Sequence, residues 1–256
     1  MDSTKPLILV VNDDGINAPG ISALTAVAKE FGEVVVVAPD KPQSGMGHAI
    51  TLDSTLHLKQ VNNFDDTVAY SCSGTPVDCV KIAVTQLLPR KPDLVVSGIN
   101  HGSNSSINVI YSGTMSAALE GSLEGIPSVG FSLQNHSIEA DFSASQYYAR
   151  KIISQLLQEK HNKDVCLNVN IPNLSTDLIA GVKVCRQAKG NWEENYDERT
   201  DPMGRKYYWL TGKFVLEDKG TDTDEWALTN NYVSVVPVQP DVTDYKIIND
   251  LKSLEK

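Results

Sequence analysis

Short runs of apolar residues alternate with helically spaced apolar residues along most of this chain. Five of the runs predict buried strands, at residues 7–11, 34–37, 92–99, 128–133 and 165–171, and the first of them is mostly β-branched. Helical spacing predicts helices between them, at residues 19–31, 75–88, 115–124 and 142–157. Strand–helix–strand order implies right-handed crossovers between parallel strands. The pattern therefore predicts an α/β fold with a Rossmann-like, mostly parallel sheet flanked by helices.

The pattern changes after residue 180. Residues 182–185, 207–210 and 232–238 are typical of strands, and a charged helix is predicted at the C-terminus. Residues 49–72 predict a smaller β excursion within the first part. We therefore predict an α/β core at residues 1–180 and a β-rich extension with a C-terminal helix at residues 181–256.

Composition narrows the class of protein. A chain of 256 residues with 41% apolar content buries a sizeable core, and no run approaches the roughly 18 apolar residues of a membrane span. Residues 1–6 lack the features of a signal peptide, and the four cysteines have no C-x-x-C spacing. We expect a cytoplasmic protein with reduced core cysteines. The formal charge of −10 argues against a stable nucleic-acid partner but permits a small phosphorylated substrate whose charge is met locally.

Two adjacent carboxylates follow the first predicted strand. Asn12, Asp13, Asp14 and Gly15 come directly after the apolar run, and Gly15 permits a tight turn that brings both carboxylates round one point. Two like charges at the end of an apolar strand repel each other, and a hard divalent cation bound between them commonly neutralises that repulsion. The alternative is a turn with a helix cap, because Asn, Asp and Gly favour turns.

Other polar residues follow the remaining strands. Ser44 lies in the loop after the second strand and Asn100 comes after the third, while Ser112, Gly113 and Thr114 form a turn that opens a helix. Open α/β sheets bind ligands beyond the carboxyl ends of their strands, so we expect these residues to share one edge. Hard oxygen donors favour Mg²⁺, Mn²⁺ or Ca²⁺ over Zn²⁺, and a helix-opening Ser-Gly-Thr turn is a ready anion site.

Several ordered motifs carry a resemblance to a known family. They are Val11-Asn-Asp-Asp-Gly15, Ala38-Pro-Asp40, Gln43-Ser-Gly45, Gly74-Thr-Pro76, Asp78-Cys79, Pro92-Asp-Leu-Val-Val-Ser-Gly-Ile-Asn100, Gly102-Ser-Asn104, Tyr111-Ser-Gly-Thr114, Ala117-Ala118, Glu120-Gly121, Arg205-Lys-Tyr-Tyr-Trp209 and Thr223-Asp224. Over nearly its whole length the chain resembles the SurE family of survival proteins, which act as metal-dependent nucleotidases. One departure is Ser106, where many members have Gly, and we expect a local change of the loop there.

The resemblance implies roles for particular residues. Two aspartates, a loop serine and the asparagine after the third strand bind the cation in that family, and they correspond to Asp13, Asp14, Ser44 and Asn100. One divalent ion per subunit, Mg²⁺ or Mn²⁺, is thereby implied. The Ser112–Gly113–Thr114 turn is implied as the phosphate site. Asn104 is either a further phosphate contact or a residue that only fixes its turn.

The resemblance also implies an activity, the hydrolysis of nucleoside 5′- and 3′-monophosphates, with short polyphosphate as an additional candidate substrate. Asp13 or Asp14 would accept the proton of the attacking water, and the sequence does not choose between them. A non-catalytic nucleotide-binding sensor and a calcium-dependent nucleoside N-glycosidase are the alternatives. The stretch from Asn12 to Gly15 does not supply the glycosidase pattern D-x-D-x-x-x-D-D. Its aspartates are adjacent, unlike the D-x-D spacing of phosphatases that use an aspartyl nucleophile, and no matching lysine motif is evident.

The segment at residues 186–209 and the two histidines near the predicted ligands each have two interpretations. Residues 186–209 interleave Arg, Lys, Trp and Tyr, which suits either nucleobase stacking or a subunit-exchange arm. The resemblance favours the arm, and with it a homodimer or homotetramer. His48 and His101 flank the predicted ligands, and we expect them to position other groups or lie on the surface rather than act as acids.

Overall fold

The first apolar run forms an interior strand of the central sheet. The structure is a computed structural model and describes residues 5–158 and 165–255. Its strands are β1 (Leu7–Val11), β2 (Glu33–Pro39), β3 (Leu58–Val61), β4 (Val68–Cys72), β5 (Leu94–His101), β6 (Ser128–Leu133), β7 (Cys166–Ile171), β8 (Gly181–Val184), β9 (Gly190–Thr200), β10 (Lys206–Leu216) and β11 (Tyr232–Val238). Every residue of β1 is buried, as expected for a strand covered on both faces.

Nine of these strands form one sheet in the order β3-β4-β2-β1-β5-β6-β7-β11-β8. β1 pairs in parallel with β2 and β5, and the parallel run continues through β6 and β7. In the part of the chain that the structure describes, β3–β4 and β7–β11 are the antiparallel neighbours of this sheet. The predicted Rossmann-like, mostly parallel sheet is therefore confirmed.

Helices cover both faces of the sheet. They are α1 (Pro19–Ala28), α2 (Pro76–Ile82), α3 (Asn108–Tyr111), α4 (Gly113–Leu123), α5 (Ser143–Gln158), α6 (Asp224–Thr229) and α7 (Ile248–Leu251), with a π-helical turn at Ala83–Leu87 and 3₁₀ turns at Thr176–Leu178 and Lys252–Glu255. Alternate residues of β1 point to opposite faces. Ile8 and Val10 pack in a core cluster with α1 and α5, whereas Leu9 and Val11 pack with α2 and α4. Among the described residues, no helix has the length and apolar content to cross a membrane.

Helix α2 begins at the capping residues that the sequence predicts. Thr75 caps the helix by accepting from the backbone N–H of Asp78 at 3.1 Å, and the Asp78 carboxylate accepts from the N–H of Thr75 at 2.9 Å. Pro76 occupies the first turn, where its missing N–H costs nothing. This capping box fixes the direction of α2 after β4.

The chain beyond residue 180 contributes to two sheets. β8 and β11 extend the central sheet through β7, and Val233 and Val235 of β11 pack in the core of the first 180 residues. β9 and β10 form a separate two-stranded hairpin, and the β excursion at residues 49–72 becomes β3 and β4 at the other edge of the central sheet. The division at residue 180 stays a prediction, and the hairpin is the part that stands apart from the sheet.

Candidate metal and phosphate site

The carboxyl ends of β1, β2 and β5 meet at one cleft of about 550 Å³, which we call the candidate cleft. It is lined by six residues that the sequence singled out, Asp13, Asp14, Ser44, Asn100, Asn104 and Ser112. They come from loops that are far apart in the chain and are brought together by the parallel order of the strands. Gly113 and Thr114 are buried and do not line the cleft.

The side chain of Asp13 is oriented by contacts with the first residues of α4. The hydroxyl of Thr114 donates to Oδ1 of Asp13, and both side chains are buried. A Cβ at Gly113 would lie 2.7 Å from the Cβ of Asp13, so only glycine lets α4 approach this closely. The hydroxyl of Thr114 thus orients Asp13, and the phosphate-binding role that the resemblance implies for this turn stays a prediction.

Asp14 is oriented by a histidine. Its Oδ2 accepts from the backbone N–H of His101 at 3.2 Å and lies 2.9 Å from Nδ1 of the same residue. The ring of His101 packs edge-on against Phe142, with centroids 5.2 Å apart. His101 therefore positions Asp14, which agrees with the role expected from the sequence.

The loop that carries Ser44 is tied down on both sides of the serine. The N–H of Gln43 donates to the carbonyl of Asp13 at 2.8 Å, and the N–H of Gly47 donates to the carbonyl of Tyr111 at 3.1 Å. These backbone hydrogen bonds anchor the loop between the two carboxylates and α3. Ser44, which is exposed, consequently faces the candidate cleft.

A bulge in β5 sets the position of Asn100. Ser97 pairs with Gly130 and Asn100 pairs with Ser132, so β5 contains one residue more than β6 between these pairs. Such an insertion re-aims the side chains that follow it. The amide nitrogen of Asn100 donates to the carbonyl of Gly102 at 2.8 Å, so Oδ1 is the side-chain atom that would bind a cation.

The residues implied in phosphate binding differ in their contacts. Ser112 caps α4, because its Oγ accepts from the N–H of Met115 at 3.0 Å. Asn104 is fixed through its backbone N–H to Asn170 at 2.7 Å and through its side-chain nitrogen to Ser132 at 2.8 Å. Its loop is therefore rigid where it lines the cleft.

The next residues of that loop are Ser105 and Ser106. Ser106, the departure from the family pattern, has a φ of 52°, a left-handed conformation that Gly adopts without strain. Its N–H donates to the buried carboxylate of Asp224 at 2.8 Å, which secures the loop despite the missing glycine.

The charge at the site fits a cation. Burial raises the pKa of Asp13 to about 6; the hydrogen bond from Thr114 lowers the pKa, and the nearby charge of Asp14 raises it further. Among residues 5–158 and 165–255, neither Asp13 nor Asp14 forms an ion pair with Lys or Arg. Two carboxylates with a hydroxyl and an amide oxygen make a donor set of hard oxygens, as Mg²⁺ and Mn²⁺ prefer. The described residues include no cluster of three or more His, Cys, Asp and Glu, so Asp13 and Asp14 would need Ser44 and Asn100 to complete a cation site.

Comparison with known proteins settles the family. The model of the family described as survival protein SurE matches residues 8–194. A "5'-nucleotidase SurE" from Flavobacterium psychrophilum is 60% identical over 251 residues, which covers 98% of this chain and 98% of the relative. This chain belongs to the SurE family.

Other SurE proteins agree in sequence and in fold. A "5'-nucleotidase SurE" from Cytophaga hutchinsonii is 57% identical and covers 97% of this chain and 96% of its own length. The crystal structure of a SurE protein from Aquifex aeolicus has a TM-score of 0.84 at 41% identity, covering 98% of this chain and 100% of that chain. The SurE fold is therefore shared over nearly the full length, including the strands after residue 180.

The cleft of this SurE chain includes residues that sequence reasoning did not assign to it. Trp192, Phe214, Glu225, Tyr111 and His136 all line it. Trp192 belongs to the segment with two interpretations, but nothing in the sequence brought Glu225 or His136 to the edge of the sheet. His48, in contrast, points elsewhere and pairs with the buried Glu120 at 2.8 Å.

Proposed function

We propose that this protein is a divalent-cation-dependent phosphomonoesterase that hydrolyses nucleoside 5′- and 3′-monophosphates to nucleoside and phosphate. The observation that carries the proposal is the meeting of two carboxylates, two neutral oxygen donors and a helix N-terminus at one cleft. The names of the relatives, 5'-nucleotidase SurE, support the nucleotide as substrate class. Short polyphosphate is an additional substrate that the same cleft would admit.

Asp13, Asp14, Ser44 and Asn100 would hold one Mg²⁺ or Mn²⁺ per subunit. When bound, the cation supplies Lewis-acid chemistry, because it withdraws charge from the phosphoryl group and makes water a stronger acid. The side chains around it are already oriented by Thr114, His101 and backbone hydrogen bonds. This preorganisation lowers the cost of ordering the ligands when the cation binds.

The chain supplies the remaining contacts to the phosphoryl group. The first amides of α4, those of Gly113 and Thr114, have no carbonyl of their own helix to bind and favour an anion. Ser112 and Asn104 line the cleft beside them and add polar contacts. Water attacks phosphorus in line with the ester oxygen, the P–O bond to the nucleoside breaks, and Asp13 or Asp14 accepts the water proton. The leaving oxygen takes up a proton from solvent water and departs as the nucleoside hydroxyl. Asp14 is the more accessible of the two, since Asp13 is buried against Thr114.

The first prediction concerns metal and substrate. We expect 5′-AMP, 3′-AMP, GMP and CMP to release phosphate with Mg²⁺ or Mn²⁺, faster than ATP, because each added phosphate raises the electrostatic cost on a protein of charge −10. A chelator should abolish the release, and added metal should restore it. Phosphate release is measured for these nucleotides, sugar phosphates and polyphosphate.

Four results would contradict all or part of this proposal. Undiminished turnover after chelation would refute the requirement for a cation. Release of free base in place of phosphate would indicate a glycosidase. Nucleotide binding without any product would indicate a sensor. Sugar phosphates hydrolysed far faster than every nucleotide would keep the reaction but refute the substrate class.

A second prediction concerns assembly, and we propose at least a homodimer. The β9–β10 hairpin is a two-stranded sheet, too small to be stable alone, and it exposes large side chains, among them Tyr207, Tyr208, Trp209 and Leu210. We expect light scattering at micromolar concentration to give at least twice the 27.9 kDa of one chain. The double variant Trp209→Ser, Leu210→Ser should shift the mass towards one chain. A wild-type monomer would refute the proposal.

We also propose a cytoplasmic location. All four cysteines are free and buried, which suits a reducing compartment.

A further inference from the structure

The candidate cleft has an end that the proposed phosphate chemistry does not use. Trp192, Phe214 and Glu225 line it, and none of them is among the predicted cation or phosphate contacts. The two aromatic residues come from the root of the β9–β10 hairpin, whereas Glu225 lies in the first turn of α6. This end therefore combines two apolar rings with a single carboxylate.

The aromatic rings are fixed in place. Trp192 and Phe214 are directly paired across the hairpin, and their ring centroids lie 5.7 Å apart at an interplanar angle of 62°. The indole N–H of Trp192 donates to Oδ1 of Asn108 at 2.8 Å, which joins the hairpin to α3. A Cβ at Gly190 would lie 2.4 Å from the ring of Phe214, so the ring sits where only glycine leaves room. Rings held in this way offer a rigid surface for stacking.

Glu225 is fixed as well. One of its oxygens, Oε1, accepts from the hydroxyl of Ser105, which leaves Oε2 to accept from a ligand. The neighbouring Asp224 anchors this part of the chain, because its carboxylate accepts backbone N–H groups from Ser106 and Ala188 at 2.8 and 2.9 Å. Burial raises the pKa of Glu225 above its ordinary value, and the hydrogen bond from Ser105 lowers it. A partly buried carboxylate in this position gains free energy from a further hydrogen-bond donor.

One loop gives the order of the groups along the cleft. Asn104 lies beside the predicted phosphate site, Ser105 contacts Glu225, and Asn108 contacts Trp192. The loop thus runs from phosphate contact to carboxylate to aromatic ring. A nucleoside monophosphate has the same order, with its ribose between phosphate and base.

We propose that this end of the candidate cleft is the nucleoside subsite, in which the base stacks on Trp192 and meets the inclined ring of Phe214 edge-on, and a ribose hydroxyl donates to Glu225. The inference rests on the phosphomonoesterase function proposed above. It adds a binding site for the nucleoside, the part of the substrate that the phosphate site does not contact. Stacking accepts any base, because every base has an apolar face. The subsite therefore distinguishes nucleotides from small phosphate esters and gives only modest preference among bases.

A second cleft is the rival position for the nucleoside. It measures about 410 Å³, adjoins the first at Asp14, His101 and His136, and is lined on its far side by Ile16, Pro42 and Ile138. Its described lining includes no Trp, Phe or Tyr, so it offers no flat ring of comparable size for a base. The variant Ile138→Ser tests this cleft directly, because Ile138 is exposed.

The test crosses two variants with three substrates. Trp192→Ala and Glu225→Gln are compared with wild type on 5′-AMP, on ribose 5-phosphate, which lacks the base, and on 2′,3′-dideoxy-AMP, which lacks both ribose hydroxyls. We expect Trp192→Ala to lower kcat/KM about tenfold on both adenine nucleotides and to leave ribose 5-phosphate unchanged. Glu225→Gln should lower kcat/KM roughly fivefold on 5′-AMP and ribose 5-phosphate but leave the dideoxy nucleotide unchanged.

Controls separate a binding role from a structural one. Trp192→Phe keeps a ring and should retain most of the preference for AMP over ribose 5-phosphate, whereas Tyr196→Ala removes an exposed ring four residues further along β9 and should change nothing. An equal loss on all three substrates, or a base-dependent loss in Ile138→Ser, would overturn the subsite. Affinities measured by calorimetry give the same comparison if wild type binds AMP but releases no phosphate. That result would refute the proposed function while the affinity ratios still decide the subsite.

Discussion

We expect Asp14→Asn, and likewise Asp13→Asn, to lower phosphate release from nucleoside monophosphates on the order of 1,000-fold while the protein stays folded. Each change keeps the volume of the side chain but removes one of the two negative charges that would hold the cation. Asp14 lies in the cleft and Asp13 is buried against Thr114, and among the described residues neither carboxylate pairs with a Lys or Arg. Phosphate release, circular dichroism and Mn²⁺ affinity are measured on the same samples.

A matched control removes the same charge nearby. Asp40→Asn acts on an exposed carboxylate at the end of β2, which lines the second cleft and not the candidate cleft. We expect its activity to stay within about twofold of wild type, because an exposed charge is screened by solvent and salt. Normal activity in a folded Asp14→Asn protein, or an equal loss in Asp40→Asn, would refute the proposed cation site.

The sequence predicted the sheet well where burial is continuous. β6 and β11 begin and end where their apolar runs do, at residues 128–133 and 232–238. The helix signal at Thr75 was equally local, since the cap, the proline and the acid all lie within four residues. Such elements are encoded by neighbours in the chain, so propensity and periodicity suffice.

Propensity and periodicity do not predict which distant segments of the chain pair with each other. The sequence separates β11 from β7 by more than 60 residues, and nothing in β11 itself indicates that it lies antiparallel to β7 in the central sheet. The hydrogen bond from Thr114 to Asp13 joins residues 101 positions apart, and that of Ser105 to Glu225 joins residues 120 apart. Residue type and spacing brought the candidate ligands to one edge of the sheet, but the contacts that orient them depend on tertiary packing.

Gly113 shows how closely this packing and the chemistry are linked. A glycine at the first position of a helix is ordinarily a weak choice, because alanine favours helix by about 1 kcal/mol in a helix interior. Here the added Cβ would meet the Cβ and Oδ2 of Asp13 at 2.7 and 3.0 Å. The Cβ of Asp13 is attached directly to the backbone at the end of β1, so it cannot move aside as the tip of a long side chain would. The glycine is therefore needed for the position of the carboxylate rather than for the helix.

We expect Gly113→Ala to lower kcat by about 100-fold or more, because displacing a catalytic group by about 1 Å costs rate on that scale. The cation should bind more weakly for the same reason, and Mn²⁺ titration checks this. Gly121→Ala is the matched control, since it adds the same methyl group to the same helix but faces Ser128 at 2.4 Å and Val95 at 2.8 Å in the core. That variant should lose about 1–3 kcal/mol of unfolding free energy and keep its activity per folded molecule. If both variants lost stability and activity in proportion, the loss in Gly113→Ala would be one of folding, and the close approach of α4 to Asp13 would have no part in catalysis.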